Sequence, residues 1–129
     1  MSKISRHQFR SDFELQIARS LADNGVNFEY ESVKLTYYPN PRTYTPDFYL
    51  PDSGIYVEAK GHFTPADRMK MLLVIRDNPL IDIRMLFLRA NNRLNRASKT
   101  TYGRWCDKHN ILWAEGRIPD EWIMERPHE

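Results

Sequence analysis

The sequence predicts a mixed α/β fold, with a central mixed β-sheet flanked by helices. Segments with apolar residues at helical spacing are interleaved with segments in which apolar and polar residues alternate. Residues 81–88 have apolar residues at alternate positions, and Leu86 and Leu88 make the opposite face apolar as well, which is typical of a strand inside a sheet. The length of 129 residues, with 41% hydrophobic and 28% charged residues, indicates one ordinary globular domain. The predicted order is α-β-β-β-α-β-α-β.

The first predicted helix covers residues 12–24. Ser11 as N-cap and Glu14 at the third helical position have the form of a capping box, and Gly25 is suited to end the helix. Apolar residues then alternate with polar ones along residues 26–37, which predicts half-buried strand.

Prolines interrupt this pattern at Pro39, Pro41 and Pro46. Proline has no N–H group, so this stretch cannot pair as a central strand. Because proline is also stiff, we expect an extended bridge over residues 39–45 and no tight hairpin.

Later elements follow from turn signals and periodicity. Thr64 and Pro65 are suited to begin a helix as its N-cap and first residue, and Met69, Leu72 and Leu73 would form its buried face. A basic loop is expected over residues 91–99, and a turn over residues 51–54. Strands are predicted over 47–50, 55–60, 81–88 and 111–114, and helices over 64–77, 102–110 and 119–124.

Composition excludes several classes of protein. Cys106 is the single cysteine, so an intrachain disulfide is impossible and a cysteine zinc site is disfavoured. There is no apolar run near the roughly 18–20 residues that span a bilayer, and residues 1–12 lack the apolar core of a secretory signal. We therefore expect an intracellular protein without a membrane partner.

Charge is unevenly distributed around a net charge of +2. Residues 84–108 contain seven basic residues and a single acid, whereas residues 115–129 contain five acids and two basic residues. A basic central segment is compatible with a polyanionic partner, although many such segments are simply solvated.

The most informative motif is Pro46-Asp47, followed after ten residues by Glu58-Ala59-Lys60. Side chains alternate along a strand, so Glu58 and Lys60 share a face, and a hairpin would bring Asp47 beside them. Two such carboxylates repel each other unless cations lie between them. Lys60 offsets one charge, and a hard cation such as Mg²⁺ or Mn²⁺ accounts for the other.

This set of residues suits phosphodiester hydrolysis, in which Lys60 could hold or deprotonate the attacking water or neutralise charge growing on phosphorus. A plainer interpretation is also open: Asp47 caps a turn, while Glu58 and Lys60 form a surface pair. Glu14 likewise has a purely structural explanation as the return half of the capping box, although an acid near a helix N-terminus is also favourable electrostatically.

Asp47, Glu58 and Lys60 resemble the motif of PD-(D/E)xK nucleases, with Glu14 as the helical acid. Over nearly the whole chain, from about residue 9 to residue 123, the sequence resembles phage endonuclease I, a family of Holliday-junction resolvases. The segments that carry the resemblance are SDFE (11–14), NFEYE (27–31), TYTPDF (43–48), VEAKG (57–61), DIR (82–84), TYG (101–103), KH (108–109) and IPDEWI (118–123).

The resemblance implies a restriction-endonuclease-like core and a metal site. Asp47 and Glu58 would bind the ion together with the backbone carbonyl of Ala59, and Glu14 would be a further acid of that site. Lys60 would be the catalytic lysine. Mg²⁺ is the expected cofactor, and Mn²⁺ is expected to substitute for it.

The resemblance also implies an intertwined, domain-swapped homodimer, in which Glu14 comes from one subunit and the other three catalytic residues from its partner. The single nuclease domain would then comprise an N-terminal helix and strands (1–38), a bridge exchanging between subunits (39–45) and a catalytic core (46–129). A stiff connector favours such exchange over folding back.

The expected activity is structure-selective cleavage of four-way and other branched DNA junctions by paired Mg²⁺-dependent nicks, as in DNA recombination, in the cytoplasm of the host cell. Two alternatives stay open: a nicking or restriction-type nuclease for ordinary duplex, and a junction-binding module without activity. Because residues 115–129 are acidic, we assign DNA contact to basic residues elsewhere, although each could simply be solvated. They are Arg10, His62, Arg68, Lys70, Arg93, Arg96 and Lys99.

Overall fold

The computed structural model describes residues 8–37 and 42–124, which form a mixed five-stranded sheet, a separate two-stranded sheet and four helices. The predicted mixed sheet with flanking helices is confirmed. The helices are α1 (Asp12–Asp23), α2 (Pro65–Asp77), α3 (Tyr102–Lys108) and α4 (Asp120–Met124). The strands are β1 (Glu29–Tyr30), β2 (Leu35–Tyr37), β3 (Arg42–Tyr44), β4 (Phe48–Leu50), β5 (Ile55–Lys60), β6 (Asp82–Phe87) and β7 (Trp113–Glu115).

The five-stranded sheet has the order β1-β4-β5-β6-β7. Its first three strands pair antiparallel, whereas β5, β6 and β7 are parallel. Helices α2 and α3 connect the parallel strands, as parallel pairing requires a long crossover. Strand β6 lies between two neighbours and is buried along nearly its whole length, as its two apolar faces predict.

Strands β4 and β5 form the predicted hairpin, which positions the site described below. Phe48 lies opposite Val57, and Leu50 lies opposite Ile55. The turn between them contains Gly54 with φ +75°, a left-handed conformation that glycine adopts without strain. The turn residues therefore favour this hairpin.

Buried apolar side chains fall into two clusters. One lies beneath α2 and α3 and includes Phe63, Val74 and Phe87. The other lies beneath α1 and α4 and includes Leu21 and Leu86. Since Leu86 and Phe87 are neighbours on β6, the two clusters lie on opposite faces of the sheet.

Residues 42–44 of the predicted bridge are extended, but the expectation that this stretch takes part in no hairpin is wrong for the residues that the structure describes. Strand β3 pairs antiparallel with β2, and Tyr37 lies opposite Arg42. Pro39 and Pro41 lie outside the described residues, and residues 42–44 keep the N–H groups that pairing requires. Exchange of this connection between subunits stays a prediction.

The predicted buried face of α2 is also wrong in part. Met69 is 59% exposed, whereas Met71 and Val74 are buried and Leu72 and Leu73 are half-buried. Apolar residues occur nearly all round this helix, so its sequence does not define which side meets the sheet. Within the described residues, no helix has the length and apolarity needed to cross a membrane.

Candidate active site

A polar cleft of about 470 Å³ is lined by residues of α1, α2, β3 and β5, and by residues of the segments that follow β1 and precede β4. All four residues predicted to be catalytic, Glu14, Asp47, Glu58 and Lys60, line it in the single chain. The three acids are buried, with exposed fractions of 6–8%. Buried acids are rare unless they are paired or bind cations, so this cleft is a candidate functional site.

The hairpin brings Asp47 to the end of β5. Asp47 directly precedes β4, and its Oδ2 accepts a hydrogen bond from the backbone N–H of Ala59 at 2.9 Å. The plainer interpretation, in which Asp47 only caps a turn, is therefore wrong, because the carboxylate reaches across the hairpin.

Glu58 points into the same cleft from β5. Its Oε1 accepts a hydrogen bond from the hydroxyl of Tyr44, and its Oε2 lies 3.5 Å from Lys60 Nζ. Since Glu58 is only 6% exposed, this pair is not the surface pair of the plainer interpretation. Tyr44 was not predicted from the sequence, because its contact depends on the pairing of β3 with β2.

Lys60 lies between two carboxylates. Its Nζ is 3.3 Å from Asp67 Oδ1, in addition to its contact with Glu58. Although burial opposes it, the charges of Glu58 and Asp67 raise the pKa of Lys60, so the side chain is an ammonium ion. Asp67 also accepts a hydrogen bond from Thr64 N–H in the capping box of α2, and that capping box could have been recognised in the sequence.

Glu14 is held by donors from outside its own helix. Ser11 caps α1 as predicted, with its Oγ accepting from Glu14 N–H. The expected return bond to Ser11 is wrong: Glu14 Oε1 instead accepts from the N–H of Arg10 and from the hydroxyl of Tyr30. These donors hold the carboxylate at the cleft.

Glu31 is a fourth cleft acid that the sequence analysis missed. Its ligand atom and those of Glu14 and Asp47 all lie within 4.8 Å of one another. The alternation of residues 26–37 predicted a strand position, but Glu31 has φ +49°, which ends β1 and turns its side chain toward the cleft. Its carboxylate also forms an ion pair with Arg10 at 3.0 Å.

The electrostatics of the cleft favour a bound cation. Burial and the neighbouring Glu58 raise the pKa of Asp47 to about 9, and burial raises the pKa of Glu58. Carboxylates that are this costly to ionise are stabilised by positive charge. Among the described residues, neither cysteine nor histidine lines the cleft, so its donors are oxygen atoms and fit a hard divalent cation.

The residues predicted to contact DNA fall into two groups. Arg10 and Lys70 line the same cleft, together with Lys34, which the sequence analysis did not single out. A second cleft of about 590 Å³ is lined by His62 and by residues of the basic loop, among them Arg93.

The remaining predicted contacts differ in their surroundings. Arg96 lines the second cleft, whereas Lys99 is exposed on the loop and lines neither cleft. Arg68 donates to the backbone carbonyl of Phe63 at 2.8 Å, which ties its guanidinium to the start of α2.

The two acids and the lysine on one hairpin of a mixed sheet match the motif of PD-(D/E)xK nucleases that the sequence resembles. The family model described as Phage endonuclease I matches residues 1–129 of this chain. The chain is 43% identical over 123 residues to Endonuclease I of Escherichia phage T7, covering 94% of this chain and 82% of the relative. It is 39% identical to Endodeoxyribonuclease 1 of Enterobacteria phage T3, covering 94% and 80%. The chain belongs to the phage endonuclease I family, as its resemblance indicated.

Proposed function

We propose that this protein is a DNA endonuclease that cuts four-way and other branched junctions by paired Mg²⁺-dependent nicks inside the host cell. The observation that carries the proposal is the cleft in which buried Asp47 and Glu58 meet Lys60. A member of an endonuclease family with this set of residues has the groups that phosphodiester hydrolysis needs. The name of the phage T3 relative states that it is an endodeoxyribonuclease, which supports DNA as the substrate.

The acids of the cleft would hold the metal ion. Asp47, Glu58 and the carbonyl of Ala59 would bind it together with Glu14. Glu31 is a further carboxylate, and its ligand atom lies within 4.8 Å of those of Glu14 and Asp47. Mn²⁺ should substitute for Mg²⁺, since both prefer oxygen ligands. When bound, the ion supplies Lewis-acid polarisation of the phosphoryl oxygen and acidifies a water molecule.

Lys60 would stabilise negative charge at the scissile phosphate. Its ammonium group is held between Glu58 and Asp67, so it is kept charged and directed into the cleft. Of the roles that the sequence left open, a charged lysine suits charge neutralisation and orientation of water, whereas proton abstraction requires the neutral amine.

Basic residues around the two clefts would bind the DNA backbone. Arg10, Lys34 and Lys70 line the catalytic cleft, and His62 and Arg93 line the second cleft. His62 follows Lys60 by two residues, so a strand bound at the catalytic cleft would continue into the second one. Contacts of this kind read the shape of a junction and carry little sequence preference.

A homodimer with shared sites would supply two nicks. The helix that carries Glu14 and the hairpin that carries Asp47 are joined only through residues 24–46. Exchange of the N-terminal part between subunits would keep the same contacts and change only which chain makes them. Two sites related by a dyad suit a branched substrate that needs symmetric cuts.

The proposal is tested on a radiolabelled four-way junction with Glu58→Gln and Lys60→Ala. Both variants should lose cleavage by at least about a hundredfold, because each removes a group from the reacting site. Glu29→Gln removes the same charge from the exposed face of β1 and should cleave normally. EDTA should abolish cleavage by the unsubstituted protein. Full activity of both cleft variants would contradict the site assignment.

Competition with linear duplex separates this proposal from its alternatives. A junction-resolving enzyme should prefer the junction by orders of magnitude. Equal cutting of both substrates would indicate a nicking or restriction-type nuclease. Tight junction binding that is indifferent to Mg²⁺, with no cut product, would indicate a non-catalytic binding module.

A further inference from the structure

We propose that Tyr44 and Tyr30 are positioning residues that hold the cleft acids ready for a divalent ion, an inference that rests on the proposed function. The hydroxyl of Tyr44 donates to Glu58 Oε1, and that of Tyr30 donates to Glu14 Oε1, both at 2.5 Å. Neither tyrosine was predicted to take part in the site.

The three predicted acids of the cleft are held in the same way. One oxygen of Glu58 and one of Glu14 accept from a tyrosine hydroxyl, and one oxygen of Asp47 accepts from the backbone N–H of Ala59. A carboxylate at the end of a rotatable side chain loses freedom when it binds an ion, and a fixed donor removes that freedom beforehand. The second oxygen of Glu58 faces Lys60 at 3.5 Å, so in each of the three acids the tyrosine or backbone donor contacts one oxygen only.

The rings of Tyr44 and Tyr30 pack against apolar side chains, which fixes the positions of their hydroxyl groups. Tyr44 is 3% exposed and belongs to the core cluster beneath α2. The ring of Tyr30 packs against those of Phe9 and Phe48, at centroid distances of 4.5 and 5.4 Å. Phenylalanine would keep the ring packing at both positions, so each hydroxyl is explained by its polar partners. These are Glu58 for Tyr44, and Glu14 together with the N–H of Arg10 for Tyr30.

The two tyrosines should differ in their importance. Glu14 Oε1 also accepts from the backbone N–H of Arg10 at 3.1 Å, and this donor is kept when the hydroxyl of Tyr30 is removed. Tyr44 lies deeper and acts on Glu58, one of the two acids on the hairpin. We therefore expect a larger effect from Tyr44→Phe than from Tyr30→Phe.

Calorimetric titration with Mn²⁺ tests the proposal on the full chain. The dissociation constant should rise about tenfold or more for Tyr44→Phe and by a smaller factor for Tyr30→Phe. Tyr56→Phe is the matched control, because Tyr56 stacks on Tyr49 and does not line the cleft. Junction cleavage by Tyr44→Phe should recover when Mn²⁺ is raised by the factor lost in affinity, which a purely structural defect would not do.

The outcomes separate this inference from the proposed function. If the unsubstituted protein neither binds Mn²⁺ nor cuts junctions, the proposed function fails and this inference with it. If the unsubstituted protein does both, and Tyr44→Phe and Tyr30→Phe bind Mn²⁺ as tightly as it does, the positioning role alone is overturned. A loss of affinity in Tyr56→Phe equal to that in Tyr44→Phe also overturns it. Tyr30→Phe keeps the test decisive if Tyr44→Phe does not fold, since Tyr30 is only half-buried.

Discussion

Asp47 is a proposed metal ligand, and the burial of its carboxyl group opposes ionisation in the metal-free fold. It is 8% exposed, and burial together with the adjacent Glu58 raises its pKa to about 9. The metal-free fold therefore binds a proton more tightly than the unfolded chain does. The stability that this proton contributes is fully present below about pH 4 and is lost as the pH rises through about 9.

Asp47→Asn should therefore stabilise the metal-free protein while abolishing cleavage. An amide oxygen can still accept from Ala59 N–H, and position 47 then carries no carboxyl group whose ionisation in the unfolded chain opposes folding. In EDTA at pH 8 we expect a gain of about 1–2 kcal/mol, or roughly 3–8 °C in Tm.

The gain should shrink toward pH 5, which thermal melts across the pH range would reveal. Glu29→Gln, with the same loss of charge on an exposed strand, should change Tm little. A Tm for Asp47→Asn at or below that of the unsubstituted protein at pH 8 would contradict this account.

At the scale of one element, the first turn of α2 joins helix capping to the active site. Thr64 Oγ1 accepts from Asp67 N–H, while Asp67 Oδ2 accepts from Thr64 N–H and its Oδ1 contacts Lys60. Burial opposes ionisation of Asp67, yet the hydrogen bond from Thr64 and the charge of Lys60 lower its pKa below the usual range. The start of this helix thereby determines where Lys60 points.

Asp67→Asn should lower the single-turnover cleavage rate about tenfold, because a charged hydrogen bond to Lys60 is worth roughly 1.5 kcal/mol. Thr64→Ala is the control: it removes the other half of the capping box and should cost about 1 kcal/mol of stability with little change in rate. Cleavage is measured well below the melting temperatures of both variants. An equal loss of cleavage in the two would mean that the effect of Asp67→Asn comes from the lost helix cap and not from the lost contact with Lys60.

At the scale of the whole molecule, the cleft joins two parts of the chain. Helix α1 supplies Glu14 and the residue directly after β1 is Glu31, whereas the β4–β5 hairpin and the residue before it supply Glu58 and Asp47. Along the sequence these parts are connected through residues 24–46, and in the homodimer proposed above this connection would decide which subunit completes each cleft.

Subunits that carry Glu14→Gln and Asp47→Asn should complement each other when refolded together. With shared sites, one cleft of the heterodimer holds both substitutions and the other holds none, so nicking of the junction returns. With separate sites, each cleft holds one substitution and stays inactive. Differently tagged subunits, isolated as verified heterodimers, provide the measurement; absence of nicking in them excludes shared sites.

Local sequence determined the parts of this protein whose contacts are close along the chain. Ser11 begins α1, Thr64 begins α2, and a four-residue turn sets the hairpin that brings Asp47 beside Glu58 and Lys60. Turn and capping signals act over a few residues, so these features could be predicted without coordinates.

Only the tertiary structure decided which side chains surround that hairpin. Tyr30 meets Glu14 across 16 positions, Tyr44 meets Glu58 across 14, and Glu31 reaches the cleft through a left-handed residue at the end of β1. The buried face of α2 and the pairing of β3 with β2 were likewise decided by packing. Such contacts depend on how separate segments fit together in space, and apolar periodicity carries no information about that fit.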